Sequence, residues 1–167
     1  MAGNLTRDEA RERARLLSVE SYEVELDLTT GDERFGSTTV IRFGCTEPGA
    51  ASFVDLHGAT VREVTLNGTA LDPASYNEVE GRVPLPGLAA ENQLAVVAEC
   101  TYSRSGEGLH RFVDPVDGEV YTYSQFETAD AKRMFACFAQ PDLKARYTLT
   151  VTAPADWKVV SNATAEV

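Results

Sequence analysis

The stretch SYEVELDLTT at residues 21–30 restricts the fold more than any other part of the chain. In it, Tyr22, Val24, Leu26 and Leu28 alternate with Glu23, Glu25 and Asp27. Successive side chains of a strand point to opposite faces, so this segment carries one apolar and one acidic side. A helix would scatter both sets around its circumference, and a half-buried strand separates them. The pattern recurs. Phe35, Thr39, Ile41 and Phe43 alternate after a turn at Gly31-Asp32, so the first two strands read as a hairpin. Ser52–Leu56 and Thr60–Leu66 are shorter candidates. Asn67-Gly68, set between Leu66 and Leu71, has the two residues that a type I′ turn needs, because both central positions take positive φ. Val83 and Leu85 follow Gly81-Arg82. Leu94, Val96, Ala98, Cys100 and Tyr102 alternate again, and Asp114–Gly118 separates Leu109–Val113 from Glu119–Ser124. Tyr147, Leu149 and Val151 alternate before Pro154, and Trp157–Val160 reads as the opening of a further strand.

One helix stands against this series. Thr6 followed by Glu9 is a capping-box pattern, and Ala10, Ala14 and Leu17 fall on one face of a helix over about residues 7–17. Many short strands after a single helix predict an all-β fold, one β domain over residues 1–167 with a short N-terminal helix. Ser103–Gly108 reads as an exposed loop. A strand opening so near Val167 suggests a domain belonging to a longer polypeptide.

Charge and cysteines narrow the function. A formal charge of −11 repels phosphate backbones and anionic bilayers, which argues against nucleic-acid and membrane partners. No run reaches the length of a membrane span. Residues 1–17 carry charge throughout and do not read as a signal peptide, so a cytoplasmic location is expected, with Cys45, Cys100 and Cys137 as free thiols. On that footing the sequons at Asn4, Asn67 and Asn162 read as coincidental. His57 and His110 are the only imidazoles. Together with the absence of HExxH, GxSxG and a P-loop, this leaves no catalytic residue and no metal site expected in the chain.

Residues 125–145, QFETADAKRMFACFAQPDLKA, break the alternation. On an extended backbone Gln125 and Glu127 face one side and Phe126 the other. A carboxylate beside an amide oxygen can hold an ammonium group through charge-assisted hydrogen bonds, although two polar residues at a strand end need no ligand to account for them. Lys132 and Arg133 can pair with Asp130 or Glu127, and Cys137 between Ala136 and Phe138 reads as a small buried residue.

This segment resembles the N-terminal domain of the M1 family of zinc aminopeptidases, the aminopeptidase N group in its actinobacterial form. The residues that carry the resemblance are Gln125-Phe126-Glu127, Ala131-Lys132-Arg133, Phe135, Cys137-Phe138 and Gln140-Pro141-Asp142-Leu143-Lys144-Ala145. The hairpin from Gly108-Leu109-His110 to Tyr121, the strand Ser21–Leu28 and the N-terminal helix extend it over nearly the whole chain. Two residues depart from the family pattern: Ala139 stands where Asp or Glu is usual, and Ala136 where Pro is common.

The resemblance implies a saddle-shaped, sandwich-like β domain packed on a thermolysin-like catalytic domain of the same polypeptide. That domain would hold the zinc, the general base and the GAMEN strand, and no cofactor would sit in this chain. The resemblance further implies that Glu127 binds the free α-ammonium group of a peptide substrate and that Gln125 lines the pocket for its first side chain. The irregular segment would then line a cleft shared with the catalytic domain. A stand-alone β-sandwich interaction module is the alternative. The sequence downstream of Val167 separates the two, because only an aminopeptidase would continue into GAMEN and HExxH motifs.

Overall fold

The computed structural model describes residues 4–164. The capping box forms as expected. The Thr6 hydroxyl accepts from the Glu9 N–H at 3.3 Å, and the Glu9 carboxylate accepts from the Thr6 N–H at 2.8 Å. It starts α1 (Arg7–Leu16), which extended backbone at Leu17 ends. The buried side of α1 is not the expected one. Ala14 is exposed, and Arg13 and Leu16 are the buried residues. An alanine contributes little area, so the packing partners beneath the helix decide which side turns in.

The strands follow the alternation. They are β1 (Leu17–Asp27), β2 (Arg34–Cys45), β3 (Ser52–Asp55), β4 (Ala59–Leu66), β5 (Thr69–Leu71), β6 (Arg82–Leu85), β7 (Glu91–Thr101), β8 (Gly108–Val113), β9 (Val120–Gln125) and β10 (Arg146–Thr152). Six of them form one sheet in the order β10-β1-β2-β7-β4-β5, while β3-β6 and β8-β9 form two-stranded sheets. The hairpin β1-β2 is antiparallel. Asn67 and Gly68 take φ of 52° and 80°, the positive values that the β4-β5 turn requires. Both polar atoms of the Asn67 side chain are occupied, by the Gln93 N–H and the Asn92 amide, which leaves its sequon serving the turn.

Tyr22, Val24 and Leu26 of β1, Phe35, Ile41 and Phe43 of β2, and Leu94, Val96, Ala98 and Cys100 of β7 are buried in a single apolar cluster. Val54, Leu56, Val83 and Leu85, from the β3-β6 region, belong to the same cluster. A fully buried side chain of this size stabilises the fold by about 1.5–3 kcal/mol. On the opposite side of the sheet Glu23 pairs with Arg42, and Glu99 with Arg62.

Two features depart from the sequence reading. β10 joins the edge of the sheet parallel to β1, in register Tyr22↔Tyr147, Val24↔Leu149 and Leu26↔Val151. Its alternating residues therefore share the apolar side of β1, yet Tyr147 and Leu149 remain 57% and 45% exposed because little covers the sheet at that edge. Trp157–Val160 is not a strand; those residues have no regular structure, and Val167 lies outside the described residues.

Candidate functional site

Gln125 closes β9 opposite Gly108 at the start of β8. Gly108 has φ of +67°, and a Cβ there would come within 2.6 Å of the Arg133 Cβ. Only glycine allows this hairpin to lie so close to the short 3-10 turn Ala131–Arg133. Arg111 of β8 is paired with Asp32 at 2.5 Å, and Arg104 donates to the Asp32 carbonyl at 3.2 Å, so the hairpin is also tied to the β1-β2 turn.

Past Gln125 the chain leaves the sheet. The Gln125 Oε1 accepts from the Glu127 N–H at 2.8 Å, and its Nε2 reaches the Glu127 carbonyl at 3.5 Å. The expected side-by-side arrangement of the two side chains is therefore modified: the Gln125 amide folds onto the main chain of Glu127 and holds it. The Glu127–Thr128 peptide bond is cis. Phe126 points the other way, as its position predicts, and meets Phe135 edge to face at 6.1 Å.

Three contacts hold the far side of this turn. The Asp130 N–H donates to the Phe126 carbonyl at 2.9 Å, the His57 N–H donates to the Lys132 carbonyl at 2.7 Å, and Arg133 pairs with Asp130 at 2.8 Å. Arg133 thus takes one of the two acids that the sequence offered it. The Glu127 carboxylate is exposed and enters no ion pair among the described residues. Its main chain is held by Gln125, and its carboxylate oxygens accept no hydrogen bond among the described residues, which leaves them open to a donor.

The second half of the irregular segment does something else. Met134–Phe138 are five consecutive buried residues. Cys137 exchanges both backbone hydrogen bonds with Asp55, at 2.8 and 2.9 Å, and the Phe138 N–H donates to the Tyr22 hydroxyl at 3.0 Å. Phe138 meets Phe43, and Phe135 meets Tyr22, edge to face at 5.1 and 6.2 Å. The segment is irregular in large part because it plugs the domain's own core.

Sequence reasoning missed the polar node that fixes this plug. The Arg13 Nη1 donates to the Asp55 Oδ2 at 2.7 Å and its Nε to the Gln140 Oε1 at 3.1 Å, with its guanidinium over the Phe53 and Phe138 rings at 5.0 and 5.7 Å. The same Asp55 oxygen accepts from the Ala139 N–H at 3.1 Å, and the Gln140 Nε2 donates to the Ala10 carbonyl at 2.8 Å. In sequence Arg13 is one of several charges on a polar helix, and nothing local separates it from Arg11 or Arg15.

The imidazoles assemble no nucleophilic site. The Nδ1 of His57 is buried without a partner, and burial, followed by the nearby Arg133 and Lys132 charges, holds its pKa below the ordinary value. The His110 Nδ1 accepts from the Gly106 N–H at 3.1 Å, and the ring packs on Tyr123. All three cysteines are free and buried; burial pushes the Cys100 thiol up to about 12 and raises Cys137 as well, so neither is a ready thiolate. Among the described residues no group of three or more His, Cys, Asp or Glu side chains converges to hold a metal ion. No described helix is long and apolar enough to cross a membrane.

The Peptidase M1 N-terminal domain family model matches residues 18–167. The chain is 56% identical to Aminopeptidase N of Streptomyces lividans over 162 residues, which is 95% of the chain and 19% of that protein. It is 26% identical to Aminopeptidase N of Homo sapiens over 96% of the chain and 19% of that protein. Aminopeptidase M1-A of Oryza sativa subsp. japonica is 31% identical over 65% of the chain and 12% of its own length. The chain therefore spans about a fifth of the length of the first two relatives.

Proposed function

Because the chain belongs to the peptidase M1 N-terminal domain family, we propose that it supplies the amine-anchoring wall of a metalloaminopeptidase that removes N-terminal residues from peptides. The zinc and the reacting groups belong, in this reading, to a catalytic domain of the same polypeptide, and the enzyme works in the cytoplasm. Glu127 receives the substrate's α-ammonium group, and Gln125 borders the space for the first side chain. The observation that carries the reading is the exposed, unpaired Glu127 carboxylate on a main chain held by Gln125.

The chemistry follows from charge. A free N-terminus brings an ammonium group with several donors, and a blocked or internal amide brings none that matches a carboxylate. Desolvating the carboxylate against a substrate that cannot pair with it is costly, so selectivity arises by rejection as well as attraction. Holding the amine also sets how far the first peptide bond extends from this wall, which positions the bond to be cut.

The test is Glu127→Ala in the full-length polypeptide. A charge-assisted hydrogen bond contributes about 1.5–3 kcal/mol, so kcat/KM for peptides with free N-termini should fall by about ten- to a hundredfold, with zinc content unchanged. Gln125→Ala should alter preference among first side chains more than the overall rate. A Glu127→Ala enzyme within twofold of wild type would remove the anchoring role.

A further inference from the structure

We propose that Tyr123, braced by His110, is the wall that selects the substrate's first side chain, and that it favours aromatic ones. The inference rests on the reading of Glu127 as the amine anchor and names a residue that works beside it.

The β8-β9 hairpin has two unlike faces. Leu109 and Arg111 turn inward, 7% and 8% exposed, the first into the apolar cluster and the second onto Asp32. The outward face carries rings. His110 stands opposite Tyr123 and Phe112 opposite Tyr121, with ring centroids 4.9 and 5.5 Å apart, and His110 lies 5.8 Å from Phe112. The solvent side of an antiparallel pair is ordinarily polar, so an unbroken row of rings there marks a contact surface.

The period of two along β9 puts Tyr121, Tyr123 and Gln125 on that same face. The row of rings therefore runs into the residue that holds Glu127. Gln125 turns its amide to the main chain of Glu127, and the place opposite Gln125 is Gly108, which has no side chain. The first side chain on this face with apolar area to offer beside the anchor is consequently Tyr123, 47% exposed. Its Cα is at most about 14 Å from that of Glu127. The Glu127 side chain, a bound aromatic residue and the phenol ring are together long enough to bridge that span.

The ring is also held in place. Tyr123 packs on His110, whose Nδ1 accepts from the Gly106 N–H at 3.1 Å, and a Cβ at Gly106 would stand 3.6 Å from the Tyr123 hydroxyl. The loop that enters β8 thus meets the phenol at the Gln125 end of the hairpin. A ring already ordered gives an aromatic side chain a stacked or edge-to-face partner at little entropic cost, whereas a methyl group gains almost nothing from it.

The experiment compares kcat/KM of the full-length enzyme on the 4-nitroanilides of phenylalanine and alanine, which share a free α-amine and a leaving group. Tyr123→Ala should lower the phenylalanine-to-alanine ratio about three- to tenfold and leave the alanine substrate within about twofold of wild type. Tyr123→Phe should keep the ratio, because the hydroxyl is not what selects. Tyr121→Ala, on the same face but farther from Gln125, should keep it too. Glu127→Ala should slow both substrates alike. If Tyr123→Ala leaves the ratio unchanged, or slows both substrates equally, the selecting role falls, while a loss of rate in Glu127→Ala leaves the anchor standing. If Glu127→Ala keeps the wild-type rates, the anchor falls and this inference with it.

Discussion

Glu9, Asp55 and Glu127 are three carboxylates with three different surroundings. Glu127 is exposed and unpaired; if charge dominates its role, Glu127→Gln should lower kcat/KM as much as Glu127→Ala, and if hydrogen bonding dominates, the amide should recover part of the rate. Glu9 caps α1 and accepts two bonds from Arg82, at 2.7 and 3.2 Å. The Arg82 guanidinium, and then the Thr6 N–H, lower its pKa from 4.5 to about 2. The folded state therefore holds this proton more weakly than the unfolded chain. The stability that Glu9 contributes is complete above about pH 4.5 and is lost as pH falls toward about 2. Urea midpoints between pH 5 and 2 should fall less steeply for Glu9→Gln than for wild type. Asp55 is buried beneath Arg13, so Asp55→Ala strands a guanidinium as well as the Ala139 N–H and should cost about 3–5 kcal/mol in urea unfolding.

At the scale of elements, the β8-β9 hairpin and the turn after it form one unit. Gly108 combines a positive φ with a Cβ position that the Arg133 side chain already fills, whereas Gly68, also at positive φ, has open space around it. Gly68→Ala should therefore cost about 1 kcal/mol, from backbone strain alone. Gly108→Ala should cost more and move either the hairpin or the 3-10 turn. Backbone chemical shifts at Gln125–Glu127 should change with Gly108→Ala and stay fixed with Gly68→Ala. The elements themselves were largely legible: the alternation in β1, β2 and β7 and the capping box of α1 are local signals with one physical meaning. The inward side of α1 was not, because Ala10 and Ala14 bury too little area to outweigh a guanidinium that finds Asp55 and Gln140 below it.

Over the whole molecule, the apolar side of the large sheet runs past its own cover. β10 adds Tyr147 and Leu149 to the side that β1 buries, and Tyr147 stacks on Tyr22 at 4.7 Å while staying more than half exposed. An apolar sheet edge of this kind is a docking surface or an aggregation hazard. Leu149→Lys should lower hydrophobic-dye fluorescence of the 167-residue chain and reduce its self-association at high concentration. The unfolding free energy should stay within about 0.5 kcal/mol of wild type, since a half-exposed leucine at an edge contributes little to the core. Unchanged dye binding would place the accessible apolar surface elsewhere, on the β8-β9 hairpin, where Tyr121 and Tyr123 are also exposed.

What the sequence determined by itself was whatever depends on neighbours along the chain: period-two burial, the Asn67-Gly68 turn, the Thr6–Glu9 cap, and the residues of the Gln125–Ala145 segment by which the family could be recognised. Tertiary structure decided what depends on residues far apart. It set β10 parallel to β1 across more than a hundred residues, and it drove Met134–Phe138 into the core. It joined Arg13 to Asp55 and Gln140. It also gave Asp130 to Arg133 and left the Glu127 carboxylate unpaired in solvent. A charge is read from sequence, but whether it is satisfied depends on which opposite charge the fold brings within reach, and that is decided only when the layers pack.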